Sequence, residues 1–280
     1  MSDHGSISGG DPQSLHSAAH DLSAPASRYR DLERFVLASD LDGTLIDPLQ
    51  QDDPKLLEFA RALASAGQRL RLWFNSSRPL RSQRQSLERV RYLPRPDYLI
   101  GAMGTEIEDG PDGLPIEAYG REQFGDWPRE EIDALVTETF GLVPHPPHLQ
   151  TRFKASYDLP EPEMATAIEG ELAARGLPVR LVVSSGKDLD LLPPAAGKAA
   201  AIKWLCGHVD VPQEAVLVSG DSANDLDMFE EPFRGIVVAN AHHELKRLAG
   251  SGVFHARRPC ASGVVDGLRH YGVLPRPEDT

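Results

Sequence analysis

The chain reads as an α/β protein, a Rossmann-like doubly wound parallel-sheet core with an inserted, smaller α+β cap domain. Three observations predict it. Short continuous apolar runs, such as Phe35-Val36-Leu37-Ala38-Ser39, suit strands buried on both faces of a parallel sheet. Segments of helical spacing separate those runs, as right-handed βαβ units require. A middle section broken by Pro144, Pro146, Pro147, Pro160 and Pro162 interrupts this alternation, which resumes near residue 195.

Taken in order, the first strand is 35–39 and the first helix 54–66. In that helix Leu56, Leu57, Phe59, Ala60, Leu63 and Ala64 fall near helical spacing, and Gly67 caps the end. A strand at 70–74, a helix at 79–92 and a strand at 98–100 follow. In the middle section 129–140 and 161–175 read as helices, and 151–157, 179–184 and 189–192 as strands. The closing part carries a helix at 197–206, a strand at 215–219, a helix at 224–230 and a strand at 235–238. Helices near 242–249 and 262–271 finish it. The reading assigns 34–112 and 194–275 to the core and 113–193 to the cap. Residues 1–33 hold too little apolar surface to pack and read as a disordered tail.

Charge narrows the partners. With 29 basic and 42 acidic residues, the 280-residue chain carries a formal net charge of −13. Broad nucleic-acid binding is not expected, because it needs basic faces that displace counterions. No apolar run approaches the roughly 20 residues of a membrane helix, and the start lacks the basic-then-apolar pattern of a secretory signal. Cys206 and Cys260 are too few for a disulfide framework and suit a reducing compartment. The expectation is a cytoplasmic protein, a monomer, with no membrane or nucleic-acid partner.

Chemistry concentrates at predicted strand ends. Asp40-Leu41-Asp42-Gly43-Thr44 follows the first strand, and Gly220-Asp221-Ser222-Ala223-Asn224-Asp225 follows the strand at 215–219. Strand ends of a doubly wound sheet converge on one crevice, so Asp40, Asp42, Asp221 and Asp225 form a candidate acidic cluster. Crowded carboxylates repel unless a cation intervenes, and a hard divalent ion with oxygen ligands, typically Mg²⁺, meets that need. Asn75-Ser76-Ser77-Arg78 closes the second strand, where hydroxyls and N–H groups can hold phosphate oxygens. Lys198 opens a helix, an unfavourable place for a cation unless an anion sits nearby. By contrast, His145-Pro146-Pro147-His148 offers no third ligand and reads as structural filler. Gly5-Ser6-Ile7-Ser8-Gly9-Gly10 follows no strand and is no phosphate loop.

In this order, Asp-x-Asp-Gly-Thr, a serine at the second strand end, a lysine, and Gly-Asp-Ser-x-Asn-Asp, the motifs resemble those of the haloacid-dehalogenase-like phosphohydrolases. The inserted cap resembles that of their Cof-like branch. A closer likeness, over roughly 35–272, is to the sucrose-phosphate phosphatases. It is carried by 184–193 (Ser-Ser-Gly-Lys-Asp-Leu-Asp-Leu-Leu-Pro), 153–157 (Phe-Lys-Ala-Ser-Tyr) and 237–241 (Val-Val-Ala-Asn-Ala). Asn75-Ser76-Ser77-Arg78 stands where that group usually has Thr-Gly-Arg, so Ser77 replaces a glycine.

The resemblance implies a Mg²⁺-dependent phosphomonoester hydrolase. Asp40 would attack phosphorus and form an aspartyl-phosphate; Asp42 would protonate the leaving alcohol and then activate water. Asp40, the backbone carbonyl of Asp42, Asp221 and Asp225 would hold the metal, and Ser76 and Lys198 the phosphoryl group, with Arg78 in support. Lys154, Lys187, Asp188, Asp190, Asn224 and Asn240 are the candidate substrate-binding residues. The implied substrate is a small-molecule sugar phosphate, sucrose-6-phosphate first. Mannosylfructose-phosphate, a glycosyl-phosphoglycerate and a broader range of sugar phosphates are the alternatives. A different class of function is a non-catalytic sugar-phosphate-binding partner of a sugar-phosphate synthase.

Overall fold

β1 (Phe35–Ser39) is buried along its whole length, as a strand with helices over both faces must be. The computed structural model describes residues 34–49, 53–110, 113–184, 186–230 and 232–276, so the expected tail at 1–33 lies outside the described residues. α1 (Pro54–Ala66) opens on Asp53, whose carboxylate accepts from the Lys55 N–H. β2 (Leu70–Asn75), α2 (Leu80–Arg89) and β3 (Tyr98–Gly101) follow within a few residues of their expected bounds. β4 (Glu106–Asp109) and β5 (Leu114–Pro115) then fold back antiparallel. The apolar pattern gives no sign of β4, because Glu-Ile-Glu-Asp has one large apolar side chain. Glu108 is buried there by an ion pair with Arg84.

Past α3 (Glu117–Phe124) and α4 (Arg129–Phe140) comes a second sheet. Its strands are β6 (Val143–Pro144), β7 (Ala155–Asp158), β8 (Arg180–Ser184) and β9 (Asp188–Leu192), with α5 (Met164–Ala174) between β7 and β8. The strand expected over 151–157 begins only at Ala155. Residues 151–154 instead form a turn closed between Thr151 and Lys154, and both carbonyls accept from Arg129. The chain then returns through α6 (Lys198–His208), β10 (Val216–Gly220) and β11 (Arg234–Val237). It finishes with α7 (His243–Lys246), β12 (Val253–His255) and α8 (Cys260–His270). The helix expected at 224–230 is a 3₁₀ turn over Ala223–Phe229, held at its start by a capping box between Ser222 and Asp225.

The larger sheet has the order β12-β11-β10-β1-β2-β3-β4-β5. From β12 to β3 the pairs are parallel. The chain builds outward from β1 through β2 and β3, then comes back to build the other way through β10, β11 and β12. Strand order therefore reverses between β1 and β10, where a crevice opens at the carboxyl ends. Ser39 pairs with both Ser219 and Phe74, so the ends of β10, β1 and β2 reach one level.

On one face of this sheet Leu37, Leu72, Phe74 and Leu217 pack with Leu56 and Phe59 of α1 and Val264 and Leu268 of α8. On the other, Val36, Ala38, Trp73 and Val218 join Ile202 and Leu205 of α6. That apolar cluster continues into Ala155, Tyr157, Leu189 and Leu191 of the smaller sheet. The smaller sheet, ordered β6-β7-β9-β8, is antiparallel. Alternation then puts Lys154, Ser156, Asp158, Asp188, Asp190 and Arg180 on its opposite, polar face.

Candidate active site

Asp40 leaves β1 held from both sides. Its N–H donates to the Ser219 carbonyl at 3.0 Å, and its own carbonyl accepts from the Ser39 hydroxyl at 2.7 Å. Its buried carboxylate meets Lys198, whose ammonium stands 2.7 Å from Asp40 Oδ1 and 2.6 Å from Asp225 Oδ1. Asn224 Oδ1 accepts a third, longer bond from that ammonium, at 3.3 Å. Lys198 is the first residue of α6 and is fully buried. Asn75, at the end of β2, donates its amide to the Lys198 carbonyl at 3.1 Å and so ties the start of α6 to the neighbouring strand.

Asp221 and Asp225 come from the end of β10. The N–H groups of Asp221 and Ser222 both donate to Asp225 Oδ2, at 3.0 and 3.1 Å, which leaves Oδ1 for Lys198. Asp221 accepts from the Thr44 hydroxyl at 3.2 Å. Between the two motifs lies Gly43, with φ +83°; a β-carbon there would collide with Asp221 Oδ2. The turn thus needs glycine both for its conformation and for the approach of the second aspartate.

The charges do not balance. Asp40, Asp221 and Asp225 are all buried and can each bring one oxygen within 4.8 Å of the others', yet one ammonium faces them. Burial, with Asp225 and Asp221 adding repulsion, holds Asp40 well above the usual carboxylate range despite Lys198. Burial and Asp225 likewise push Asp221 up to about 6. For Lys198 burial works toward neutrality, but Asp225 and Asp40 outweigh it and keep the ammonium charged. Three buried carboxylates with one cation fit an additional divalent ion of oxygen preference.

Ser76 begins the loop after β2, fully buried, its hydroxyl accepting from the Arg78 N–H at 3.1 Å. Asp42 differs from the other three aspartates. Its side chain is half exposed and turned to Arg78, whose Nε lies 2.7 Å from Oδ2. Arg78 is fixed in turn by a bond to the Ser86 hydroxyl at 2.9 Å. The Asp42 carboxylate is therefore outside the buried group, and only its backbone shares the turn with Asp40.

On the polar face of the smaller sheet, the expected substrate-binding residues separate. Lys154 and Asp190 are buried together, Nζ to Oδ1 at 2.7 Å, and the Ser156 hydroxyl bonds to both. Glu106 of β4, itself raised chiefly by burial, is close enough for Lys154 to act against that rise. Asp188 lies 3.4 Å from His145 Nε2, which also reaches Asp158 at 3.2 Å; His145, read as filler from its sequence, joins two carboxylates. Lys187 is exposed in the turn between β8 and β9. Asn240 uses both ends of its amide on backbone, donating to the Gly43 carbonyl at 2.7 Å and accepting from the Cys260 N–H at 2.8 Å. It supports the turn after Asp40. Thr44, Asn75 and Ser156 have no role assigned from sequence, although all three stand inside the motifs quoted above, and only the strand register puts Ser156 opposite Asp190.

Comparison with known proteins adds a lineage to this geometry. The pattern of the family S6PP, sucrose-6F-phosphate phosphohydrolase, matches residues 33–272. A mannosylfructose-phosphate phosphatase from Agrobacterium fabrum is 36% identical over 86% of this chain and 98% of its own length. Sucrose-phosphatase 1 of Nicotiana tabacum is 30% identical over 86% of this chain, which spans about 60% of that enzyme. Among solved structures, the sucrose-phosphatase of Synechocystis sp. PCC6803, in complex with sucrose and phosphate, superposes with a TM-score of 0.77. It is 30% identical and covers 86% of this chain and 98% of its own.

Proposed function

This chain belongs to the sucrose-6F-phosphate phosphohydrolase family, whose members are phosphoric monoester hydrolases, and from that premise we propose that it releases phosphate from a phosphorylated disaccharide, sucrose-6-phosphate first, with Mg²⁺. The observation that carries the reading is the meeting of Asp40, Lys198, Asp221 and Asp225 at two adjacent strand ends. A second reading, mannosylfructose-phosphate, is favoured by the 36% identity to the Agrobacterium enzyme over nearly its whole length. Sucrose joins glucose to fructose and mannosylfructose joins mannose to fructose, so the two substrates differ in the sugar that the smaller sheet would meet.

Asp40, the Asp42 carbonyl and Asp221 would hold the metal, with Asp225 beside them. Bound there, Mg²⁺ would neutralise charge on the phosphoryl oxygens and on these carboxylates. With Oδ1 on Lys198, Asp40 keeps Oδ2 for the attack. The Asp40–phosphorus bond forms as the bond from phosphorus to the sugar oxygen breaks, and Asp42 gives that oxygen its proton. Asp42 then takes a proton from water, whose oxygen attacks phosphorus and frees Asp40. For this Asp42 must swing from Arg78, which its exposed position allows. Ser76 would offer a donor to the equatorial oxygens, where charge builds in the transition state, and Lys198 would do so by giving up its longer bond to Asn224. The smaller sheet would act as the cap, expected over 113–193, above a core of 34–112 and 194–275 whose larger sheet also takes in β5. Lys154 and Asp190 present one charged donor and one charged acceptor to a polyol, the paired chemistry that hydroxyls need.

The protein would act in the cytoplasm, a setting that suits its two free, buried cysteines, as a monomer that can receive its substrate from a sugar-phosphate synthase. Among the described residues no helix is long and apolar enough to cross a membrane. Phosphate release from a panel of sugar phosphates tests the proposal, with Asp40→Asn as the blank. Turnover confined to one fructose-containing disaccharide phosphate, and lost in Asp40→Asn and with chelator, is the expected result. Equal, slow turnover of every panel member would remove the disaccharide assignment. Absence of any turnover from folded, metal-loaded protein would favour a binding partner instead.

A further inference from the structure

Arg180 takes no part in the chemistry above, yet it joins the polar face of the smaller sheet to the larger fold. It opens β8 opposite Leu192, the last residue of β9, where the smaller sheet hands the chain back toward Lys198. One guanidinium nitrogen donates to the Ala196 carbonyl at 2.8 Å, and the other to Asp227 Oδ2 at 3.0 Å. Ala196 lies in the connector between β9 and α6. Asp227 belongs to the 3₁₀ turn that also carries Asn224 and Asp225. Gly197 sits between these acceptors at φ +155°. A β-carbon there would collide with the guanidinium and lie 2.6 Å from Asp227 Oδ2. The ion pair fills the room that any side chain at Gly197 would take.

Resting on the phosphatase reading, we infer that Arg180 is a positioning residue: a strut that sets the angle of the smaller sheet over the strand ends and so aims Lys154 and Asp190 at the sugar. The planar guanidinium can meet two acceptors in different directions at once, which an ammonium on a flexible stem does less well. Pro193 and Pro194 stiffen the same connector. An error of about 1 Å in placing a bound substrate can slow its reaction by about 100-fold. A small phosphomonoester that uses only the strand-end cluster is insensitive to that angle.

The test compares sucrose-6-phosphate, or the panel's preferred sugar phosphate, with p-nitrophenyl phosphate in wild type, Arg180→Ala, Arg180→Lys and Gly197→Ala. Arg180→Ala is expected to lower kcat/KM for the sugar phosphate by about 10- to 100-fold and to leave p-nitrophenyl phosphate turnover within about twofold. Arg180→Lys should recover part of the loss, and Gly197→Ala should reproduce it by displacing the guanidinium. Equal losses on both substrates, or none on either, would overturn the strut. Wild-type preference for a sugar phosphate is what tests the phosphatase reading, so the two can fail separately. A readout independent of turnover is the distance distribution between labels at Arg61→Cys and Glu169→Cys, exposed on α1 and α5. It should broaden in Arg180→Ala, and an unchanged distribution would count against the strut. Should Arg180→Ala not fold, the milder Arg180→Lys carries both measurements.

Discussion

The strand-end cluster and the polar face of the smaller sheet use the same residue types to opposite electrostatic effect. At the strand ends three buried carboxylates share one ammonium, so the group lacks positive charge and two of its aspartates are held above their usual range. On the smaller sheet one buried carboxylate, Asp190, meets one ammonium, Lys154, with the Ser156 hydroxyl between them. That pair is neutral by itself, with Glu106 of β4 nearby. A buried charge without a partner is expensive, whereas a paired one is tolerated. The first region is therefore suited to an additional cation, as the proposed reaction requires. On the proposed reading, the second would trade internal partners for sugar hydroxyls with little electrostatic change.

The sharpest way to break this contrast is to move Asp221 while keeping every carboxylate. Gly43→Ala does so, because its β-carbon would occupy the position of Asp221 Oδ2 and its φ of +83° disfavours any side chain. Displacing a metal-supporting group commonly weakens affinity by about 10- to 100-fold. The Mg²⁺ concentration for half-maximal activity should rise by that factor, on sugar phosphates and p-nitrophenyl phosphate alike. Unaltered Mg²⁺ dependence would mean that Asp221 does not hold the ion.

Lys154→Met should give the converse pattern. It keeps the stem and removes the charge, leaving Asp190 with Ser156 alone. The expected effect is a KM for the disaccharide phosphate raised by about tenfold, with p-nitrophenyl phosphate turnover and Mg²⁺ dependence untouched. Equal damage to both substrates would show that the smaller sheet serves the chemistry itself, and the division between regions would fail.

The two regions were also unequally legible. Asp40, Asp221 and Asp225 stand in two short motifs next to apolar runs, so strand pattern and carboxylate crowding point to their meeting, while Asp42, expected with them, turns outward. What stayed hidden depends on groups far apart in the chain, such as the bond from Asn75 to the Lys198 carbonyl or from Arg180 to Asp227. The outward turn of Asp42 belongs here too, since a side-chain torsion toward Arg78 leaves no trace in spacing. Among the elements, β4 escaped notice because Glu108 is buried by charge pairing and not by apolarity. The 3₁₀ turn at Ala223–Phe229 has the composition of an α-helix, and the Ser222–Asp225 box that opens it is shared by both helix types.

A third charged cluster, where the first turns of α1 meet the start of α8, tests whether the raised aspartates are a property of the site or of burial in general. Glu58 of α1 meets Arg258 at 2.9 Å and the Ser262 hydroxyl at 2.7 Å, with Arg269 at 3.6 Å. Burial alone would raise its carboxyl, but Arg258 and Ser262 prevail and bring it below the ordinary value of 4.5. A carboxylate lowered on folding stabilises the fold above its unfolded value, and that contribution fades as pH falls through the folded one. Glu58→Gln should therefore lower the Tm at about pH 7 by roughly 1–3 °C, the scale of a partly exposed ion pair. The gap to wild type should close as pH falls below 4.5 and through the lowered folded value. Asp221 has the opposite sign: its value is raised, so its contribution to the metal-free fold is full below the ordinary 3.8 and lost as pH rises through about 6. Mg²⁺ should then raise the Tm of wild type and of Glu58→Gln equally at neutral pH, because the ion relieves a repulsion in which Glu58 has no share. A Tm gap between the two proteins that persists unchanged into acid, or a Mg²⁺ shift that depends on Glu58, would mean that the charges of the two clusters are coupled and that the site's imbalance is not its own.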